Sequence, residues 1–272
     1  MPSVQSVRPR PELAPFVRAY AQRKVEAIDP AWVQSVPAQL EQIINFELGV
    51  LPGIRHRQSD VTKEILVGGA QDAYSGDLHL RPGVESFAIF FWPTGWSHLF
   101  HVPTHELTNQ FDDATSIHGE QIRTLWNQLG EASSFQRRVQ VVEAFLLRRV
   151  AAAKPHEKTS RAAEYIFRKH GAVRIPRLGR ADSVSLRQFE RLFRKDLGMS
   201  PKTFACIARF QFAIDAKLAN PERTWLDVAH SFGYFDQMHM IHDFERLGRN
   251  TPTQVLLQMG DVRPSALVAG SD

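Results

Sequence analysis

The sequence predicts an α+β chain of two domains, a β-rich sandwich or small barrel closed by two helices and then an all-α region. Three observations predict it. Short apolar runs bounded by Gly and Pro crowd the first hundred or so residues, the apolar period turns helical near Ser116, and a unit repeats in the last hundred residues at an offset of 51. The length of 272 residues exceeds the roughly 100–200 of one domain, which favours two.

With 43% hydrophobic and 23% charged residues, the chain has enough apolar side chain to build its cores without a staple. Its single cysteine, Cys206, excludes an intrachain disulfide and a CxxC-type zinc site, and suits a reducing compartment. Prolines and charges occupy Met1 to Phe16 in place of an apolar run, and no later stretch of about 18 apolar residues occurs. A cytoplasmic protein with no membrane partner is expected. Charge is uneven: residues 1–150 hold 14 Lys/Arg against 16 Asp/Glu, and residues 151–272 hold 19 against 13. A net of −2 is thus followed by a net of +6, and clustered positive charge favours a polyanion by counterion release.

Taken in order, Gln42–Leu48, Glu64–Val67 and Ser86–Phe91 read as strands. From Ser116 the stripe Ile122, Leu125, Trp126, Leu129 and then Val139, Val142, Phe145, Leu146, Val150 predict two amphipathic helices. Residues 151–160 are polar, contain Pro155 and lack a stripe, so they are assigned to a linker. The domains are then 1–150 and 161–260, with a tail at 261–272.

The repeat is the most specific signal. Leu178-Gly179, Ser185, Phe193 and Ser200-Pro201 recur as Val228-Ala229, Asp236, Phe244 and Thr251-Pro252, with Phe204 and Val255 equally spaced after each proline. Small residues at Gly179 and Ala229 let paired helices approach closely, and Gly233 permits a tight turn, which is helix-turn-helix geometry. Ser185 and Asp236 are good N-caps, while Ser200-Pro201 and Thr251-Pro252 pair a cap with proline at the first helical position. Leu186, Phe189, Leu192 and Phe193 form an inward stripe, leaving Arg187, Glu190, Arg191 and Arg194 outward. In the second copy Met240 and Phe244 point inward, and Gln237, Met238, Ile241 and His242 outward. Arg pairs bidentately with guanine, Gln with adenine, and Ile or Met meets the thymine methyl.

Residues of about 158–258 resemble the C-terminal domain of the AraC/XylS family, the second copy, from Gly233 through Phe244 to Gly248-Arg-Asn-Thr-Pro252, being the nearer match. The resemblance implies two helix-turn-helix subdomains joined by a long helix at about Pro201–Leu218, reading successive major-groove segments on one face of double-stranded DNA. It implies base contacts at Arg187, Glu190 and Arg191, and at Gln237, Met238, Ile241 and His242, and a structural or phosphate-binding role for Arg209. Gly179 and Ser183 depart from the family's usual alanine and turn glycine in the first unit.

Residues 8 to about 150 resemble the cupin-like domains that precede such regions, through Arg10–Phe16, Gly83–Gly95 and His105–Asn109. This resemblance implies a domain that senses a small-molecule effector or forms a homodimer; RNA polymerase is a further expected partner of an activator. Phe46, Phe90, Phe91, Trp92, Trp96 and Phe100 either line an effector pocket or pack a core, the ordinary fate of aromatics. His98, His101 and His105 lack the spacing of a metal site, and Pro103 breaks any helix that would align them. No GxSxG, phosphate-cradling Gly loop or HExxH occurs, so neither catalysis nor a cofactor is expected. The competing readings are a cupin-like metal-dependent enzyme with a non-functional helical tail, and an interaction protein that binds no DNA.

Overall fold

In the computed structural model residues 3–26, 30–56, 59–151, 157–181 and 185–259 are described. Ten strands come first: β1 (Ser3–Val7), β2 (Val17–Lys24), β3 (Trp32–Val36), β4 (Gln42–Glu47), β5 (Gly53–His56), β6 (Ser59–Val61), β7 (Ile65–Gly68), β8 (Gly76–Leu80), β9 (Glu85–Phe91) and, after two short helices, β10 (Phe111–Asp113). The helices are α1 (Gly95–Phe100), α2 (Thr104–Leu107), α3 (Ala114–Glu131), α4 (Phe135–Val150), α5 (Glu157–Arg168), α6 (Ile175–Ala181), α7 (Leu186–Leu197), α8 (Pro201–Ala219), α9 (Trp225–Ser231), α10 (Gln237–Gly248) and α11 (Pro252–Met259).

The strands form two sheets, ordered β1-β2-β9-β4-β7-β10 and β3-β8-β5-β6, with antiparallel pairing throughout. Of the two expected outcomes, sandwich and barrel, the described strands make the first. Alternation divides the larger sheet's residues between two faces. Ile44, Phe46, Phe87, Ile89 and Phe91 join Ile122, Leu125, Leu129, Val142 and Leu146 in one core, so α3 and α4 cover one face. Ile43, Asn45, Glu47, Ser86, Ala88 and Phe90 turn to the smaller sheet. The three strands and two helices expected from the sequence are all present.

The second half packs around α8, which buries Phe204, Ile207, Ala208, Phe210, Ala213 and Ile214. A helix apolar on most of its circumference belongs at the centre of a domain. Burial of each such aromatic ring contributes about 1.5–3 kcal/mol. Phe193 meets Phe204 edge to face at 5.4 Å, and Phe210 meets Phe244 at 4.7 Å, so α8 holds both halves of the repeat.

Two features differ from the sequence reading. Helix α5 starts at Glu157, inside the segment assigned to the linker, and its buried Ser160 hydroxyl lies 3.2 Å from His98 Nε2 of α1. The rest of that segment, residues 152–156, lies outside the described residues, as do the turn at Ser183 and the tail 261–272. The second difference is that the two halves share a core, in which Ala38, Leu40 and Ala70 pack with the residues of α5 to α11. A buried polar cluster spans the same junction: Arg18 pairs with Glu41 and lies 3.7 Å from Asp215, and Gln211 donates to Glu41 at 2.8 Å. Neither part was visible as such in sequence, because apolar strand ends look alike whichever surface buries them.

Candidate nucleic-acid interface

Helices α6 and α7 form one helix-turn-helix unit and α9 and α10 the other, with α8 between them. Each second helix has the start that the sequence predicts. Ser185 accepts from the Gln188 amide at 3.2 Å, and Asp236 accepts from the His239 amide at 2.7 Å. The helix after each unit is capped by a different half of the same motif: at α8 the Ser200 hydroxyl accepts from the Thr203 amide at 3.1 Å, and at α11 the Gln254 side chain accepts from the Thr251 amide at 3.4 Å and its hydroxyl at 3.0 Å.

The second unit is held from behind by one polar cluster. The Asp243 carboxylate takes the Cys206 thiol at 3.0 Å and Arg246 at 3.0 Å, with Arg209 at 4.0 Å. Arg209 also donates to the Gly233 carbonyl at 3.3 Å and lies 4.6 Å over the Tyr234 ring. Gly233 has φ of +69°, the left-handed conformation expected of the turn residue. The role expected of Arg209 is therefore visible as a structural one: it joins α8 to the turn before α10. Burial and the neighbouring Asp243 push the Cys206 thiol up to about 11, which leaves it protonated and inert.

Outward residues match the sequence reading at most positions. Arg187, Arg191 and Arg194 are exposed on α7, as are Gln237, Met238 and His242 on α10. Among the described residues none of those three arginines makes an ion pair. Glu190 and Ile241, 51 residues apart, are each half-buried. Leu186, expected in the inward stripe, is instead 40% exposed at the first residue of α7. One surface residue was missed. Phe235, just before the Asp236 cap, is 89% exposed, and its position between a tight turn and a helix start is the signal that would have found it.

The far end of α7 is tied to the first half. Thr104 donates to the Asp196 carbonyl, and His105 Nδ1 lies 3.1 Å from the Lys195 carbonyl. On the second unit, Arg249 lies 4.9 Å over the ring of Tyr74, and the Ala38 amide donates to the Leu247 carbonyl at 2.9 Å. The three histidines weighed as metal ligands are thus separately occupied: His98 with Ser160, His105 with Lys195, and His101 as the left-handed end of α1. No group of three metal-ligating side chains occurs among the described residues.

Of the six aromatics weighed as pocket lining or core, four pack the core. Phe46, Phe91, Trp96 and Phe100 are buried between the larger sheet and its helices, with Phe91 edge-on to Trp96 at 5.6 Å and to Phe100 at 5.5 Å. Trp92 donates to the Ala14 carbonyl at 2.9 Å and meets Phe167 of α5 edge to face at 5.4 Å, which puts it at the junction of the two halves. None of the five borders the cavity between the sheets. Phe90 does, because it lies on the opposite face of β9 from Phe91.

Comparisons with known proteins agree with this geometry. Residues 178–258 match a family model described as a helix-turn-helix domain, and residues 5–112 match one described as a domain of unknown function, DUF6597. No curated protein sequence gives a significant match. Among solved structures, ToxT from Vibrio cholerae O395 is similar at 8% identity, with 96% of this chain and 98% of that one covered and a TM-score of 0.50. Unsaturated-fatty-acid-bound wild-type ToxT from Vibrio cholerae strain SCE256 is similar at 8% identity, with 96% of each chain covered and a TM-score of 0.51. The fold is thus shared across both halves. The helix-turn-helix match falls on the duplicated, capped units around α8, so this chain carries a C-terminal double helix-turn-helix DNA-binding domain behind a β-rich N-terminal half.

Proposed function

We propose that both helix-turn-helix units read promoter DNA in the cytoplasm, and that the N-terminal domain, residues 1–150, responds to an effector and sets how the units are presented. Arg187, Glu190, Arg191 and Arg194 on α7, and Gln237, Met238, Ile241 and His242 on α10, carry the contacts. The exposed arginines supply the phosphate and guanine terms, and the amide and apolar side chains of α10 supply adenine and thymine contacts. The observation that carries this reading is the repeated start of α7 and α10, capped by Ser185 and Asp236 and fixed to a single rigid α8.

The chain acts here by binding rather than by catalysis. Support for effector control comes from the contacts of Thr104, His105, Tyr74 and Ala38 with the two units, since a change in the first half reaches both α7 and α10. ToxT, which shares the fold, has been crystallised with an unsaturated fatty acid bound. Selection from a pool of randomised duplexes tests the reading. A recovered site with two blocks of fixed sequence is expected; failure to retain any duplex even at low salt would overturn it.

A further inference from the structure

Between the two sheets lies a cavity of about 160 Å³. A void of about this size holds a benzene ring when its walls are apolar. Here one end is polar. Strand register sets Arg23 of β2 and Glu47 of β4 on either side of Ser86 of β9, so the three make one row across the sheet. All three border the cavity, and Asn45 and Gln34 join them. The next row is low at Ala21 and Ala88 and continues through Asn45 to Leu66, and beyond it Ile43, Phe90 and Phe111 make an apolar end.

Three polar atoms facing this space lack hydrogen-bond partners: Arg23 Nε, Glu47 Oε2 and Gln34 Oε1. Leaving buried groups unpaired costs free energy, so a site that keeps three of them at one end of a cavity is shaped for something that pairs them. Burial pushes the Glu47 carboxyl up to about 8 and lowers Arg23 to about 10, with each partly compensating the other. Arg23 carries the site's charge while Glu47 holds its proton, and a cation set against Glu47 draws that proton off, so the two groups leave no buried excess only with an occupant bearing both charges. They favour one that offers an anion to Arg23 and a cation to Glu47.

We propose that this cavity takes a small zwitterion with an apolar side chain, the α-amino acids being the class that fits. The carboxylate meets Arg23, the ammonium meets Glu47 and Gln34, and the side chain lies over Ala21 and Ala88 toward Phe90 and Phe111. The proposal rests on the reading of the N-terminal domain as the effector-responsive part. It also gives that reading a route. Met259 of α11 closes part of the cavity, and the adjoining Gln258 bonds Ser35 of β3 at 3.2 Å, so an occupant touches the DNA-binding domain itself.

The test is the melting temperature of the full chain titrated with L-leucine and L-phenylalanine, against 4-methylpentanoate, isopentylamine and 4-methylpentanamide. A saturable rise with at least one amino acid, and none with the three single-function probes at equal concentration, is expected. Arg23→Met and Glu47→Gln should each weaken that response at least about tenfold. Ala88→Val, which fills the cavity floor, should abolish it and keeps the test decisive where the charge variants fail to fold. No response to either amino acid, or an equal response to the acid, the amine or the amide, overturns the proposal. Retention of a selected duplex by the unliganded chain, measured in parallel, separates the outcomes: if it persists, this inference alone fails, and if it is absent, the regulator reading fails with it.

Discussion

Gly198 and Arg249, 51 residues apart, end α7 and α10 in the same left-handed conformation, with φ of +76° and +58°. Each donates its amide to the carbonyl four residues back, Gly198 to Arg194 at 2.9 Å and Arg249 to Glu245 at 3.0 Å. The duplication therefore extends to the C-terminal cap, with glycine in one copy and a strained arginine in the other.

Their different surroundings predict unequal responses. A Cβ on Gly198 would collide with Thr108 Oγ1, so Gly198→Ala adds a clash at the junction with α2 to a left-handed penalty of about 1–2 kcal/mol. A loss of more than about 2 kcal/mol in urea denaturation is expected. Arg249→Gly relieves left-handed strain of about 1–2 kcal/mol but loses the contact over Tyr74 and frees the unfolded chain, each about 0.5–1 kcal/mol, so stability should change by less than about 1 kcal/mol.

Arg191→Ala should lose about 1–3 kcal/mol of discrimination at one base position with little loss of stability. Phe235→Ala removes a ring that is 89% exposed, so stability should stay within about 0.5 kcal/mol while duplex affinity falls. Competition binding against a set of single-base operator variants reads both.

Asp243→Ala strips Cys206, Arg209 and Arg246 of their shared acceptor. Breaking this buried group should cost about 2–4 kcal/mol and loosen the turn at Gly233, lowering DNA affinity as well. Denaturation and binding measured on the same preparation check the two effects together.

Because burial raises the Glu47 carboxyl from its ordinary 4.5 to about 8, the folded state holds this proton more tightly than the unfolded chain does. Its contribution is therefore complete below about pH 4.5 and is lost as pH rises toward 8. Glu47→Gln should melt close to the wild-type temperature at pH 4.5 and increasingly above it by pH 8.5, as thermal melts across that range would show.

The sequence carried the C-terminal domain further than the N-terminal one, for physical reasons. Caps, turn glycines and prolines act locally, so Ser185, Asp236, Gly233 and the two Ser/Thr-Pro pairs state their role within a few residues. The cavity gives no such sign. Tyr20-Ala-Gln-Arg23 reads as a polar segment, although β2 is covered on both faces: Gln22 takes Arg138 of α4 at 2.6 Å while Arg23 borders the cavity. Aromatic content likewise groups Phe90 with Phe91, Trp96 and Phe100, whereas strand alternation gives Phe91 to the core and Phe90 to the cavity. Docking of the halves through Ala38, Leu40 and Ala70 depends on tertiary placement, which no local pattern encodes.

Methylation-interference footprinting of the full chain on a selected operator tests the central claim most directly. Two units fixed by α8 predict two blocks of interference on one face of the duplex, about one helical turn of 10 base pairs apart, with Arg191→Ala erasing contacts in one block and Gln237→Ala in the other. A single block, or two blocks on opposite faces, would contradict it.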